Sequence, residues 1–148
     1  VRSRGLGDVY KRQIPGVYAD EKALLFVLNQ IIYNAVTYQK PGEVPRITIS
    51  WLVLNGKESG IWDGRETPGD KLLLQVRDNG CGISPEDLPR IFEKGFTGRN
   101  GRENRRSTGM GLYLCKKICG RLGIGLSASS EKGIYTQINI CLPILSEK

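Results

Sequence analysis

The run RITISWLVLN alternates apolar and polar residues with the two-residue period of a half-buried strand, placing Ile47, Ile49 and Trp51 on one face. A polar loop without helical period, GKESGIWDGRETPGD, separates it from a second strand-like run, KLLLQVRD. This pairing constrains the fold most. Parallel neighbours need a long crossover, usually a helix, whereas a plain loop joins two strands antiparallel. The pair carries an apolar face that a second layer must cover.

Two helical segments can supply that layer. Asp20 is placed to cap a helix in which Leu24, Leu25, Leu28, Ile31, Ile32 and Ala35 recur at three- and four-residue steps, and Pro41-Gly42 is expected to end it near Lys40. The stretch MGLYLCKKICGRLG returns to the same period through Leu112, Leu114, Cys115, Ile118 and Leu122, with Gly123 as its stop. In SPEDLPRIFEKGF, Ser84 as cap and Pro85 in the first turn signal a short helix. TGRNGRENRRSTGMG, rich in Gly and Arg, predicts a mobile loop. GLSASS and YTQINICLP close the chain as strands, the second alternating Ile138, Ile140 and Leu142.

Composition narrows the function. At 148 residues and 39% hydrophobic content the chain has material for one core and one domain. A net charge of +7 suits a polyanionic ligand, whether nucleotide phosphates, nucleic acid or anionic lipid, and equally an ordinary basic solvated surface. The longest apolar runs, near LLFVL and LLLQV, fall far short of the ~20 residues that cross a bilayer, and no signal-peptide pattern opens the chain. Cys81, Cys115, Cys119 and Cys141 show no CxxC spacing and there is no His, so a zinc site would need unusual ligands. Reduced, mostly buried thiols in a cytosolic setting are expected, with Cys115 and Cys119 packing within their helix. The missing His also removes the commonest general base and the usual nucleophilic triads. The first thirteen residues, VRSRGLGDVYKRQ, have no period and are expected to be a foreign or disordered tail, which leaves 14–148 as the domain.

Three stretches carry chemistry together. Gln30 and Asn34 lie four apart, so their amides project from one helix face. In DNGCGI, Gly80 and Gly82 permit a close backbone approach, and Asp78 at the strand end can accept a hydrogen bond from an exocyclic amine such as adenine's. In STGMGLYL, Gly109 and Gly111 enter a helix whose N-terminal amides favour phosphate oxygens. Each has a bland counterpart: a polar stripe, a tight turn, a glycine helix entry. The third lacks a P-loop ending and Rossmann spacing.

In this order and spacing, LNQIIYNA, DNGCGI, IFEKGFTG, STGMGLYLCKKI and GIYTQINICLP resemble the ATP-binding catalytic domain of two-component sensor histidine kinases, a branch of the GHKL superfamily, from about Val17 to Pro143. The lid motif and the Cys-Lys-Lys helix most resemble kinases of the antibiotic-sensing, transporter-associated kind. The resemblance implies an α+β fold. It is a two-layer α/β sandwich of the Bergerat type, with a mixed, mostly antiparallel sheet and helices on one face, here lacking its first strand.

The resemblance also implies a ligand set, ATP and Mg2+. Asn34 would coordinate the metal, with Gln30 as companion amide and Tyr38 fitting beside them. Asp78 would bind the adenine amine in a pocket shaped by Gly80, Gly82 and Ile83, with Thr136 near the base. Phe92, Lys94 and Phe96 fall on the lid motif; Thr108, Gly109, Met110, Gly111 and Leu112 would close over the phosphates. The γ-phosphoryl group would pass to a histidine on a separate dimerisation domain. With no His present, no catalytic residue is implied within the chain, and it is not expected to autophosphorylate alone. Implied partners are that homodimeric domain, a response regulator and an ABC transporter, with no nucleic acid. The implied setting is the cytoplasmic part of a membrane-bound parent.

Two positions depart from the family pattern. Thr37 stands where a lysine is common three residues after the asparagine, and Tyr135 where a glycine often precedes the last-strand threonine. Arg99, Arg102, Arg105 and Arg106 of the lid are candidates to replace the missing cation. A hydrolytic GHKL ATPase or a serine kinase is the first rival, but its asparagine helix would carry a Glu base where Gln30 stands, and an amide takes no proton at neutral pH. A nucleic-acid-binding module is the second; only charge favours it, since aromatic residues are not interleaved with the arginines.

Overall fold

The computed structural model describes residues 16–17, 19–56, 61–62, 65–66, 69–98 and 109–144. The elements run α1 (Glu21–Thr37), β1 (Ile47–Leu54), β2 (Ile61–Trp62), β3 (Arg65–Glu66), β4 (Lys71–Asp78), a 3-10 turn (Leu88–Arg90), α2 (Gly111–Arg121), β5 (Gly125–Glu131) and β6 (Tyr135–Pro143). The expected tail lies outside the described residues, as does most of the Arg-rich loop.

A four-stranded sheet in the order β1-β4-β6-β5 forms the first layer, and its pairings are antiparallel throughout. The β1–β4 pairing read from the sequence is present, running from Ile47 opposite Asp78 to Leu54 opposite Lys71. On its other side β4 pairs with β6, so Asp78 faces Thr136. Alternation then sends Leu72, Val76, Leu126, Ile138, Ile140 and Leu142 to one face. There they meet Val27 and Ile31 of α1 and Cys115 and Cys119 of α2 in a single core. The result is the expected α+β architecture, with both helices on one face.

The first helix starts as its cap dictates, with the Ala23 N–H on Asp20 Oδ1 at 3.0 Å. It stops at Thr37, short of the expected Lys40. The Tyr38 carbonyl accepts the Cys81 N–H at 2.9 Å, so the backbone is diverted to receive the 78–83 turn. In α2 the apolar period holds with a shift of face: Cys115 and Cys119 are buried while Leu114 and Leu122 are exposed.

Two expectations need correction. The loop after β1 is not featureless, since Ile61–Trp62 and Arg65–Glu66 form a two-residue antiparallel ribbon. The helix expected across SPEDLPRIFEKGF is reduced to turns and the 3-10 segment Leu88–Arg90. Ser84 does cap, its Oγ taking the Asp87 N–H at 3.3 Å. A second proline, Pro89, has no N–H to continue an α-helix beyond that turn.

Candidate functional site

Between α1, the 78–84 turn, the 96–98 segment, the start of α2 and β6 lies a cavity of about 380 Å3. The α-helical spacing of Gln30 and Asn34 puts both on its wall, as expected, together with Tyr33 and Thr37 from the same helix. Among the described residues neither carboxamide has a hydrogen-bond partner. Tyr38, Asp78, Gly82, Ile83, Phe96, Gly109, Gly111, Leu112 and Thr136 also line it.

Four predicted positions do not line the cavity: Gly80, Phe92, Lys94 and Met110. Gly80 is buried, Lys94 is exposed, and Met110 stands at the cap position of α2. Thr108 and the four lid arginines lie outside the described residues. Phe92 packs against the core, with the Lys116 ammonium 5.2 Å from its ring.

The glycines explain how the walls close. Gly82 has φ +67, and a Cβ there would overlap the Glu131 carbonyl at the tip of the β5–β6 hairpin. A Cβ on Gly111 would overlap Gln30 Oε1, the movable end of that side chain, so the bare position lets the Gln30 carboxamide stand against the first turn of α2. Gly80 is similarly confined: its Cβ would stand 2.6 Å from the Tyr38 carbonyl and 2.9 Å from Asp78 Oδ1.

Asp78 is the central charge. Its Oδ1 accepts the Gly80 N–H at 2.8 Å, which fixes the carboxylate at the strand end. Burial raises its pKa above 3.8, against the opposing pull of the Gly80 and Thr136 backbone N–H groups. Glu86 and Asp87 add negative charge, and Lys132 is the one cation among the described lining residues. Positive potential also comes from the N-terminus of α2, where Met110 stands at the cap position and makes no side-chain cap hydrogen bond.

Some of the lining was missed from the sequence. Ile138 was legible, since it follows Thr136 by two on one strand and shares its face. Cys81 lay inside the quoted turn. Lys132 reaches the site only because the hairpin docks on Gly82, a contact between residues ~50 apart that no local pattern announces.

Residues 19–146 match the family model of the histidine kinase-, DNA gyrase B-, and HSP90-like ATPase. The sensor protein BceS of Bacillus subtilis (strain 168) is 34% identical over 144 residues, covering 97% of this chain and 38% of that protein. The sensor protein kinase GraS of Staphylococcus aureus (strain JH1) is 33% identical over 145 residues, covering 97% and 37%. The chain thus spans less than two-fifths of the length of these relatives. In structure it resembles the mycobacterial sensor histidine kinase MprB, with a TM-score of 0.63 and 22% identity over 88% of this chain and 76% of that one. These similarities bear out the resemblance to sensor histidine kinases drawn from the five motifs: the chain belongs to the histidine kinase-, DNA gyrase B-, and HSP90-like ATPase family.

Proposed function

We propose that this chain is the ATP-binding catalytic domain of a sensor histidine kinase, and that its cavity holds ATP for transfer of the γ-phosphoryl group to a histidine on a separate dimerisation domain. One observation carries this reading: the anchored Asp78 carboxylate, the α1 amides that have no hydrogen-bond partner among the described residues, and the start of α2, which has no side-chain cap, line the same glycine-walled cavity. A carboxylate accepts from a base amine, and helix N-terminal amides donate to phosphates. Phosphoryl transfer asks mainly for positioning and charge neutralisation, so a chain without His can serve it.

The residues present fit a magnesium ion bound with its nucleotide. Among the described residues no cluster of three metal-ligating side chains exists. Mg2+ ordinarily takes one or two protein ligands and fills its shell with phosphate oxygens and water. Asn34, without a side-chain hydrogen-bond partner among the described residues, is the ligand we assign, with Gln30 beside it. Such an ion supplies charge neutralisation on the phosphate oxygens. Asp78 and Thr136 hold the base end, Gly82 and Ile83 shape that pocket, and Gly109 to Leu112 receive the phosphates. Thr37 leaves one cation fewer than the family often has.

The implied partners follow from the same reading: a dimerisation domain carrying the acceptor, a response regulator downstream, and an ABC transporter for kinases of the antibiotic-sensing kind. Among the described residues no helix is long and apolar enough to cross a membrane. We place the domain on the cytoplasmic side of a membrane-bound parent.

The metal role is tested with a fluorescent ATP analogue. Asn34→Ala should weaken magnesium-dependent binding much more than metal-free binding. An equal loss in both would make Asn34 a structural amide.

A further inference from the structure

The Asp78 end of the cavity is backed by a hydroxyl network. Ser130, near the end of β5 and opposite Thr136 in register, accepts the Ile83 N–H at 2.7 Å and donates to the Tyr135 carbonyl at 2.6 Å. Its third contact is Thr136 Oγ1 at 3.2 Å. A serine hydroxyl has one proton and two lone pairs. A carbonyl only accepts, so the proton is committed to Tyr135. An amide N–H only donates, so one lone pair is committed to Ile83. Thr136 must then donate its own proton to the lone pair that remains.

The consequence falls inside the cavity, which Thr136 lines and Ser130 does not. With its proton turned toward Ser130, Thr136 offers lone pairs to a ligand. Its register partner Asp78 offers a carboxylate anchored by the Gly80 N–H. Two neighbouring acceptors suit an amino group, which carries two protons. They oppose a carbonyl oxygen, which brings none and leaves both acceptors unpaired.

We propose that Ser130 is a positioning residue for purine specificity: by taking the Thr136 hydroxyl proton, it makes this end of the cavity select a 6-amino purine over a 6-oxo purine. The inference rests on reading the cavity as a nucleotide site with the base at Asp78. Ser130 also ties the 78–83 turn to β5 and β6, so its loss lowers affinity for any nucleotide. Selectivity, not affinity, separates the two roles.

The test is displacement of a fluorescent ATP analogue from the full chain by ATP and by inosine triphosphate, which carries oxygen in place of the amine. Ser130→Ala should lower the preference for ATP about tenfold, the scale of one net hydrogen bond. Thr136→Val should lower it similarly, and the double variant should show little further loss. Ser130→Thr, which keeps a hydroxyl, should restore the preference. A folded Ser130→Ala variant that loses both affinities equally would overturn the inference and leave the nucleotide site standing. Should Ser130→Ala fail to fold, an unchanged preference in Thr136→Val overturns it instead. A parent chain that binds neither triphosphate overturns both this inference and the nucleotide reading.

Discussion

At the scale of single residues, Asp78 shows how the carboxylate we assign to the base opposes stability. Burial raises its pKa above 3.8, so between that value and the folded pKa the unfolded chain ionises first. Stability attributable to Asp78 is therefore full below pH 3.8 and declines as pH rises through the raised folded pKa. Asp78→Asn removes the titration. Thermal melts from about pH 3.5 to 7 should show the variant gaining on the parent across that window and then holding a constant margin. A margin that shrinks with rising pH would contradict the burial of this carboxylate. DNGCGI was legible as a special turn because two glycines follow a strand-end Asp. Their reason was not, since the Glu131 and Tyr38 carbonyls that crowd Gly82 and Gly80 come from distant segments.

At the scale of elements, the sequence was readable wherever local preference and tertiary packing agree. The 20–37 helix has an N-cap, a three- and four-residue apolar period and a buried face, and each points the same way. Asp20→Ala should cost about 1 kcal/mol, read as a melting temperature lowered by roughly 2 to 5 °C. ATP affinity should hold, because the cap lies at the end of α1 away from Asn34. A loss of affinity at full folding would mean that α1 transmits its start to its end. Where signals conflict, reading failed. Ser84 and Pro85 announced a helix that Pro89 cannot sustain, and the ribbon β2–β3 forms in a stretch whose composition suggested only a loop. The Arg-rich stretch gave composition without period, so its arginines, which lie outside the described residues, could be named but not placed.

Over the whole molecule, the four thiols report on core and cavity separately. Cys115, Cys119 and Cys141 are buried, and burial with the neighbouring Cys119 pushes the Cys115 thiol up to about 12. Cys81 alone is partly exposed, and it lines the cavity. In the native chain a thiol reagent should modify Cys81 first, and saturating Mg-ATP should slow that modification several-fold. The other three should react only at the rate of unfolding. Equal rates for Cys81 with and without nucleotide would place the ligand away from this wall.

The central claim is that the cavity binds ATP with Asp78 at the base, and calorimetric titration of Mg-ATP into the parent chain and Asp78→Asn tests it most directly. A hydrogen bond to a charged group contributes about 1.5–3 kcal/mol, so affinity should fall roughly 10- to 150-fold in a variant that melts no lower than the parent at pH 7. Equal affinities for the two proteins would contradict the account.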